Sequence, residues 1–243
     1  MTPAYDQAAD GYVTLVDRLL ADPDSFWQPL LARHEAVAAP HLPGARVLDL
    51  ACGEGHLSRR LCAHNPARVL GVDLSGPLIR HAQARATDPR LTYRVDDAHT
   101  LSSVPDHSAD VIVSKLALMD ITDHRALYRA ARRVLVTGGH FSFSVLHPCF
   151  ETPFHEVDAP RFILDAHGER LAYRVQQYAR EGHWQSGGSG IRGQLGAQHR
   201  TLSTLTGDLI TSGFTLRGLH EIYGAHGLHA QVPQTLLIEA QAG

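Results

Sequence analysis

The sequence has no apolar stretch long enough to cross a membrane, and its start, "MTPAYDQAAD", carries neither the basic nor the apolar region of a secretory signal. Its three cysteines, Cys52, Cys62 and Cys149, are an odd number without a framework spacing. These absences argue against a disulfide scaffold and a membrane partner, and they point to a reduced, cytoplasmic protein. Runs of Lys or Arg are also missing: Arg129, Arg132 and Arg133 are spaced as the solvated face of a helix, and the formal charge is −3. Binding to phosphates leaves a clustered basic footprint, so no nucleic-acid partner is expected. No base stands at a recognisable spacing from Cys149, which is therefore not read as a nucleophile.

The chain has 243 residues, 44% of them hydrophobic, enough to bury the core of one domain, taken here as 1–243. Histidine is abundant at seventeen, with His220, His226 and His229 the tightest group, "HEIYGAHGLH". No Cys or carboxylate joins them at zinc-site spacing, so no metal is expected.

The first half alternates strand and helix signals. "RVLDLA" (46–51) and "RVLGVD" (68–73) are short apolar runs, as in buried strands. "LTYRV" (91–95), the start of "ADVIVSKLAL" (109–118) and "HFSFSVL" (140–146) continue the series, with "TGG" (137–139) as a stop. Between them, "GHLSRRLCAH" (55–64), "SGPLIRHAQARA" (75–86) and "DHRALYRAARRVL" (123–135) have helical spacing, with Ser75 placed as an N-cap and Pro77 in the first turn. Parallel strands need such crossovers, so the expected fold is a doubly wound α/β sheet. The rhythm breaks over 147–200, where "ERLAYRVQQYARE" and "GHWQSGGSG" predict an inserted hairpin with a mobile tip. "STLTGDLITSGF" (203–214) returns to helical spacing, and "FTLRGLHE" and "QTLLIEA" supply two closing strands. Residues 1–40 are expected to form a helical cap.

"VLDLACGEGHLSRRL" (47–61) is where a ligand is expected. A loop that leaves a parallel strand and opens a helix presents unpaired N–H groups and the positive end of the helix dipole. Gly53 and Gly55 would let the backbone approach a ligand that a Cβ would block. Asp73, twenty residues after Gly53 at the end of the second strand, is placed to accept from two ribose hydroxyls. These features fit a nicotinamide dinucleotide or S-adenosyl-L-methionine. The dinucleotide pattern calls for Gly or Ala three residues after Gly55, where this chain has Ser58. Asp49 and Glu54 would suit an ammonium and a sulfonium better than a pyrophosphate.

In order and spacing, "VLDLACGEG", "VLGVDLS", "YRVDDAHTL", "ADVIVSKLALMDITD" and "LVTGGHFSFSVLHPCF" resemble the successive motifs of class I S-adenosylmethionine-dependent methyltransferases. "QHRTLSTLTGDLITSGF" is similar to the small-molecule branch of that family (methyltransferase types 11 and 25). Ala51 stands where the family often has its first glycine. The resemblance implies a Rossmann-like seven-stranded sheet with S-adenosyl-L-methionine as cofactor. By the same resemblance, Asp49 lies near the methionine, and Ala51, Cys52, Gly53, Glu54 and Gly55 wrap methionine and ribose. Asp73 holds the ribose and Leu74 covers the adenine, whose amino group meets Asp97, preferred to Asp96, beside the Ala98 N–H. Ser114, Lys115 and Leu116 end the fourth strand near the reactive methyl, with Lys115 alternatively a solvated strand-end residue. "YDQAADGY" resembles the entry segment in which tyrosines close over the cofactor, here Tyr5 and Tyr12.

Methyl transfer needs alignment, exclusion of water and, for some acceptors, removal of a proton. His147 follows the fifth strand directly and is the candidate base or substrate ligand; a structural, hydrogen-bonded histidine is the other reading. Glu151, Tyr178, Trp184, His199 and Arg200 are second-rank substrate contacts, with His199 and Arg200 alternatively anchoring the lid. Tyr173, Tyr178 and Trp184 in the insertion suggest a small aromatic or apolar acceptor of secondary metabolism. The chain is expected to work as a monomer or homodimer. An NAD(P)-dependent oxidoreductase, a scaffold that kept the fold without the chemistry, and a methyltransferase fold using the bound sulfonium for other chemistry are the competing readings.

Overall fold

A computed structural model describes residues 5–154, 161–185 and 190–243. Two helices, α1 (Ala9–Ala21) and α2 (Trp27–Ala38), precede an alternating series. The series runs β1 (Arg46–Leu50), α3 (His56–Leu61), β2 (Arg68–Asp73), α4 (Gly76–Ala84), β3 (Leu91–Val95), β4 (Ala109–Lys115), α5 (His124–Val134) and β5 (Leu135–Leu146). An insertion then carries β6 (Phe162–Leu164), β7 (Arg170–Tyr173), β8 (Gly182–Trp184), α6 (Ile191–Gln194) and β9 (Ala197–His199). The chain closes with α7 (Leu202–Thr211), β10 (Phe214–Ile222) and β11 (Thr235–Ala242). Among the described residues no helix is long and apolar enough to cross a membrane.

Seven strands form one sheet in the order β3-β2-β1-β4-β5-β11-β10. The first five are parallel, and β11 and β10 are antiparallel additions at one edge. The central strands read as apolar runs because both faces are covered. One face packs Ile112, Phe141, Phe143 and Phe214 against α5 and α7, around the buried Tyr128. The other packs Val47, Val69, Val111 and Val113 against Trp27, Leu31, Leu57 and Leu61. Helix starts follow local chemistry: the Ser75 Oγ accepts from the Leu78 N–H (3.4 Å), and the Asp123 and Thr201 side chains cap α5 and α7 in the same way.

Two expectations differ from what is found. "TGG" does not stop the chain before the fifth strand; Leu135–Leu146 is one strand through it. Gly138 adopts a φ of +76°, and the β4–β5 register shifts between Ala109 and Val111, so the glycines make a kink within the strand. The insertion holds two small sheets, β6–β7 and β8–β9, rather than one hairpin, because β8 pairs forward with β9 across α6. Of the expected mobile tip, residues 186–189 lie outside the described residues.

From β1 the chain moves outward to β2 and β3, then returns to β4 on the other side of β1. That reversal leaves a crevice at the carboxyl ends of β1 and β4, where open α/β sheets bind ligands. The loop shaping it contains Gly55, with a φ of +82° and a would-be Cβ only 2.2 Å from the Tyr93 hydroxyl. Gly55→Ala should destabilise the fold by about 3 kcal/mol, from left-handed strain plus overpacking. Urea unfolding at neutral pH, compared with wild type, checks this.

Candidate active site

The loop after β1 turns sharply because Ala51, Gly53 and Gly55 all lie in the left-handed region, at φ of +56°, +58° and +82°. Its position is fixed from β2. Asp73 Oδ2 accepts from the Gly53 N–H (2.8 Å) and Oδ1 from the Ser75 N–H (2.9 Å), so one carboxylate ties the β1 loop to the start of α4. Burial raises the Asp73 pKa, and the two N–H donors work against that rise. Each oxygen can still accept a further hydrogen bond. Gly55 is required by the fold rather than by a ligand: its would-be Cβ meets Tyr93, whose hydroxyl donates to the Gly55 carbonyl (3.1 Å).

A cavity of about 610 Å³ opens at this edge. Tyr5, Tyr12, Ala51, Gly53, Asp73, Leu74, Asp97, Ala98 and Leu116 line it, so the structure brings these sequence-derived candidates together. Asp96 also reaches it, but its carboxylate is occupied by the Ser103 N–H and hydroxyl and by Ser102. One oxygen of Asp97 is held by the backbone N–H and ring of His99, and the other has no partner among the described residues.

Asp49, Cys52, Glu54, Gly55 and Ser114 do not line the cavity. Asp49 lies behind it, where the Ser58 hydroxyl donates to it (2.5 Å); burial raises its carboxyl to about 6. Glu54 is fully buried and points the other way: its oxygens take the His56 ring (2.8 Å), Arg59 (2.7 Å) and Arg85 (3.1 Å). Burial alone would raise the Glu54 pKa, but His56 and Arg59 hold it down to about 2. Neither Asp49 nor Glu54 faces the cavity, where the acids are Asp73, Asp96, Asp97 and Asp120. Ser114 is spent on the Leu50 carbonyl (2.8 Å).

His147 is not brought to the cavity. It is buried, its Nδ1 accepts from the Cys149 N–H (3.3 Å), its Nε2 lies 3.3 Å from Glu221, and burial lowers its pKa. Glu151, Trp184, His199 and Arg200 border a separate hollow of about 30 Å³. Glu151 pairs with Arg161, and the Tyr178 hydroxyl accepts from the Leu202 N–H (2.7 Å). Arg200 donates to the carbonyls of Leu118, Ile121 and Thr122, and thereby anchors the β4–α5 loop. Lys115 is buried at the cavity wall, which excludes the solvated reading.

Sequence reasoning missed Asp120, Arg192 and Trp27. Arg192, from α6, forms an ion pair with Asp120, and the Tyr5 hydroxyl donates to the same carboxylate (3.0 Å). Tyr5 packs edge-on against Tyr12, with ring centroids 5.2 Å apart. The N-terminal segment, the β4–α5 loop and the insertion meet over the cavity at this junction. Trp27 stacks on the His56 ring and also lies under the Lys115 ammonium. None of these pairs has a sequence spacing that could have revealed it.

Residues 47–139 match the family model of a methyltransferase domain. A solved S-adenosylmethionine dependent methyltransferase from Mesorhizobium loti is 30% identical, with a TM-score of 0.72 over 86% of this chain and 97% of its own. The chain belongs to the S-adenosylmethionine-dependent methyltransferases. It is also similar to the ubiquinone/menaquinone biosynthesis C-methyltransferase UbiE of Caulobacter vibrioides, at 31% identity over 56% of each chain. A ubiquinone biosynthesis O-methyltransferase of Xanthomonas campestris is 33% identical over 57% of this chain and 60% of its own. The chain thus matches little more than half the length of those two relatives.

The Glu54 brace has a pH signature. A carboxyl held near 2 in the fold, against 4.5 ordinarily, stabilises fully above 4.5, and its contribution is lost as pH falls through 2. Between those limits wild type should lose on the order of 2 kcal/mol more stability than Glu54→Gln. Urea unfolding of both proteins at a series of acidic pH values measures the difference.

Proposed function

We propose that this enzyme transfers the methyl group of S-adenosyl-L-methionine to an O, N or C atom of a small aromatic or apolar metabolite, within secondary metabolism, leaving S-adenosylhomocysteine. One observation carries the reading: a single cavity joins a ribose-type acceptor, Asp73, to an apolar compartment. Asp73 keeps acceptor capacity on both oxygens after binding Gly53 and Ser75, which fits two vicinal hydroxyls. Leu74, half-exposed at the cavity, suits an adenine face, and the unpartnered oxygen of Asp97 suits its amino group. Ala51 and Gly53 border the space left for the methionine. When bound, the cofactor supplies an activated methyl group on a sulfonium.

The chain's own residues supply alignment and exclusion of water. Leu15, Leu19, Phe26, Trp27, Met119 and Leu195 give part of the wall an apolar surface, which supports an aromatic or apolar acceptor. The names of the two relatives, one a C- and one an O-methyltransferase of ubiquinone biosynthesis, support a small-molecule acceptor and leave the acceptor atom open. A dinucleotide is disfavoured by Ser58, whose buried hydroxyl is bound to Asp49 where the dinucleotide pattern calls for a close Gly or Ala contact.

Isothermal titration with S-adenosyl-L-methionine and S-adenosylhomocysteine, on wild type and Asp73→Ala, tests the reading. Wild type should bind both, and the variant should bind each about ten- to a hundredfold more weakly, the size of a lost charge-assisted hydrogen bond. Wild type binding neither would overturn the reading.

A further inference from the structure

Of the 22 basic side chains counted as Lys and Arg, 21 are arginine; the one lysine in the sequence is Lys115. It sits at the carboxyl end of β4, 9% exposed, at the wall of the cavity. An arginine stays charged in a protein, whereas a buried lysine can become a neutral amine. A chain that uses arginine everywhere else places at its binding cavity its one lysine, an amine able to give up and take back a proton.

The surroundings favour exchange over anchoring. Nζ lies 3.1 Å from the centroid of the Trp27 ring, and no described residue accepts a hydrogen bond from it. The charged and titratable groups packed nearby are Asp49 from β1, Glu54 from the β1 loop, His34 from α2 and His56 from α3. Both carboxylates have other partners: Asp49 has Ser58, and Glu54 has His56, Arg59 and Arg85. Burial, with the nearby Lys115 charge second, lowers His34 to about 3 and His56 to about 4, so both rings are neutral. Burial likewise brings Lys115 down to about 7, against the pull of Asp49 and Glu54. Across the cavity, Asp73, Asp96, Asp97, Asp120, His99, His183, Arg192 and Tyr5 all have hydrogen-bond partners. Tyr12 has none among the described residues, but burial drives its phenol far upward and keeps it protonated.

We propose that Lys115 is the proton acceptor of the methyl transfer, and that the acceptor substrate is therefore an acidic hydroxyl compound, a phenol or an enol. The proposal rests on the methyltransferase reading. In the step, the sulfur–methyl bond breaks as the oxygen–methyl bond forms, and sulfur keeps the electron pair and loses its charge. The hydroxyl proton passes to Nζ. One cation disappears as another forms, so the total charge inside the cavity is unchanged. A bound sulfonium disfavours the ammonium, which keeps Lys115 neutral until transfer.

A single lysine makes the test direct. Protein labelled with 13Cε-lysine gives one side-chain lysine signal, titrated alone, with S-adenosylhomocysteine and with S-adenosyl-L-methionine. The expected midpoint lies about two or more pH units below the ordinary lysine value, and lower with the sulfonium than with the thioether. A midpoint near 10 in all three states overturns the proposal. Titration calorimetry of Lys115→Met should give affinities for both cofactor forms within about threefold of wild type; a tenfold loss of both makes the lysine a cofactor clamp instead. Wild type binding neither form counts against the methyltransferase reading itself. Finally, 4-nitrophenol and 4-nitro-1-naphthol report their own ionisation by absorbance. Added to the S-adenosylhomocysteine complex at a pH where the free probe is protonated, at least one should show its phenolate band with wild type and lose it with Lys115→Met. No band with either probe on wild type overturns the assignment.

Discussion

The site depends on one carboxylate holding two chain segments together. Asp73 takes the Gly53 N–H and the Ser75 N–H on separate oxygens, so the turn after β1 and the turn after β2 share a common clasp. Beside it, the Cys52 N–H donates to the Val72 carbonyl (2.9 Å), so the left-handed loop at residues 51–55 is held to the neighbouring strand at two points. The register of β1 with β2, from Arg46↔Arg68 to Leu50↔Val72, brings both turns to the same level of the sheet. The same carboxylate both builds the cavity floor and offers its remaining acceptor positions to whatever binds there.

Around this clasp, buried charges are sorted by partner. Glu54 is neutralised from behind by Arg59 and Arg85, and Asp49 accepts a hydrogen bond from the Ser58 hydroxyl. Asp120 is met from above by Arg192. Each of these carboxylates therefore has a charged or hydrogen-bonding partner, as a low-dielectric interior requires. Lys115 differs in that it has a ring face instead of an anion, which leaves its ionisation responsive to what occupies the cavity.

Much of the fold was legible because it rests on local rules. Parallel strands covered on both faces read as apolar runs, and Ser75 marks a helix start by its own side chain. The glycine loop and Asp73 were legible as a pair because the motif spans only twenty residues. The orientation of side chains inside the motif was not. Glu54 sits between two glycines, yet it is turned from the cavity by His56, Arg59 and, 31 residues on, Arg85. The position of His147 suggested chemistry, but its ring is held by Cys149 and by Glu221, 74 residues away. Asp120 and Arg192, 72 residues apart, have no pattern in common. Long-range pairings of this kind depend on how the insertion folds back, which periodicity does not encode.

The Tyr5–Asp120–Arg192 junction draws together three segments that are remote along the chain, with Tyr5 and Asp120 separated by 115 residues. No one of them covers the cavity alone, and each is positioned partly by the other two. The carboxylate that holds Tyr5 is thus the same one that holds Arg192, so the leading segment and the insertion share one anchor over the cavity.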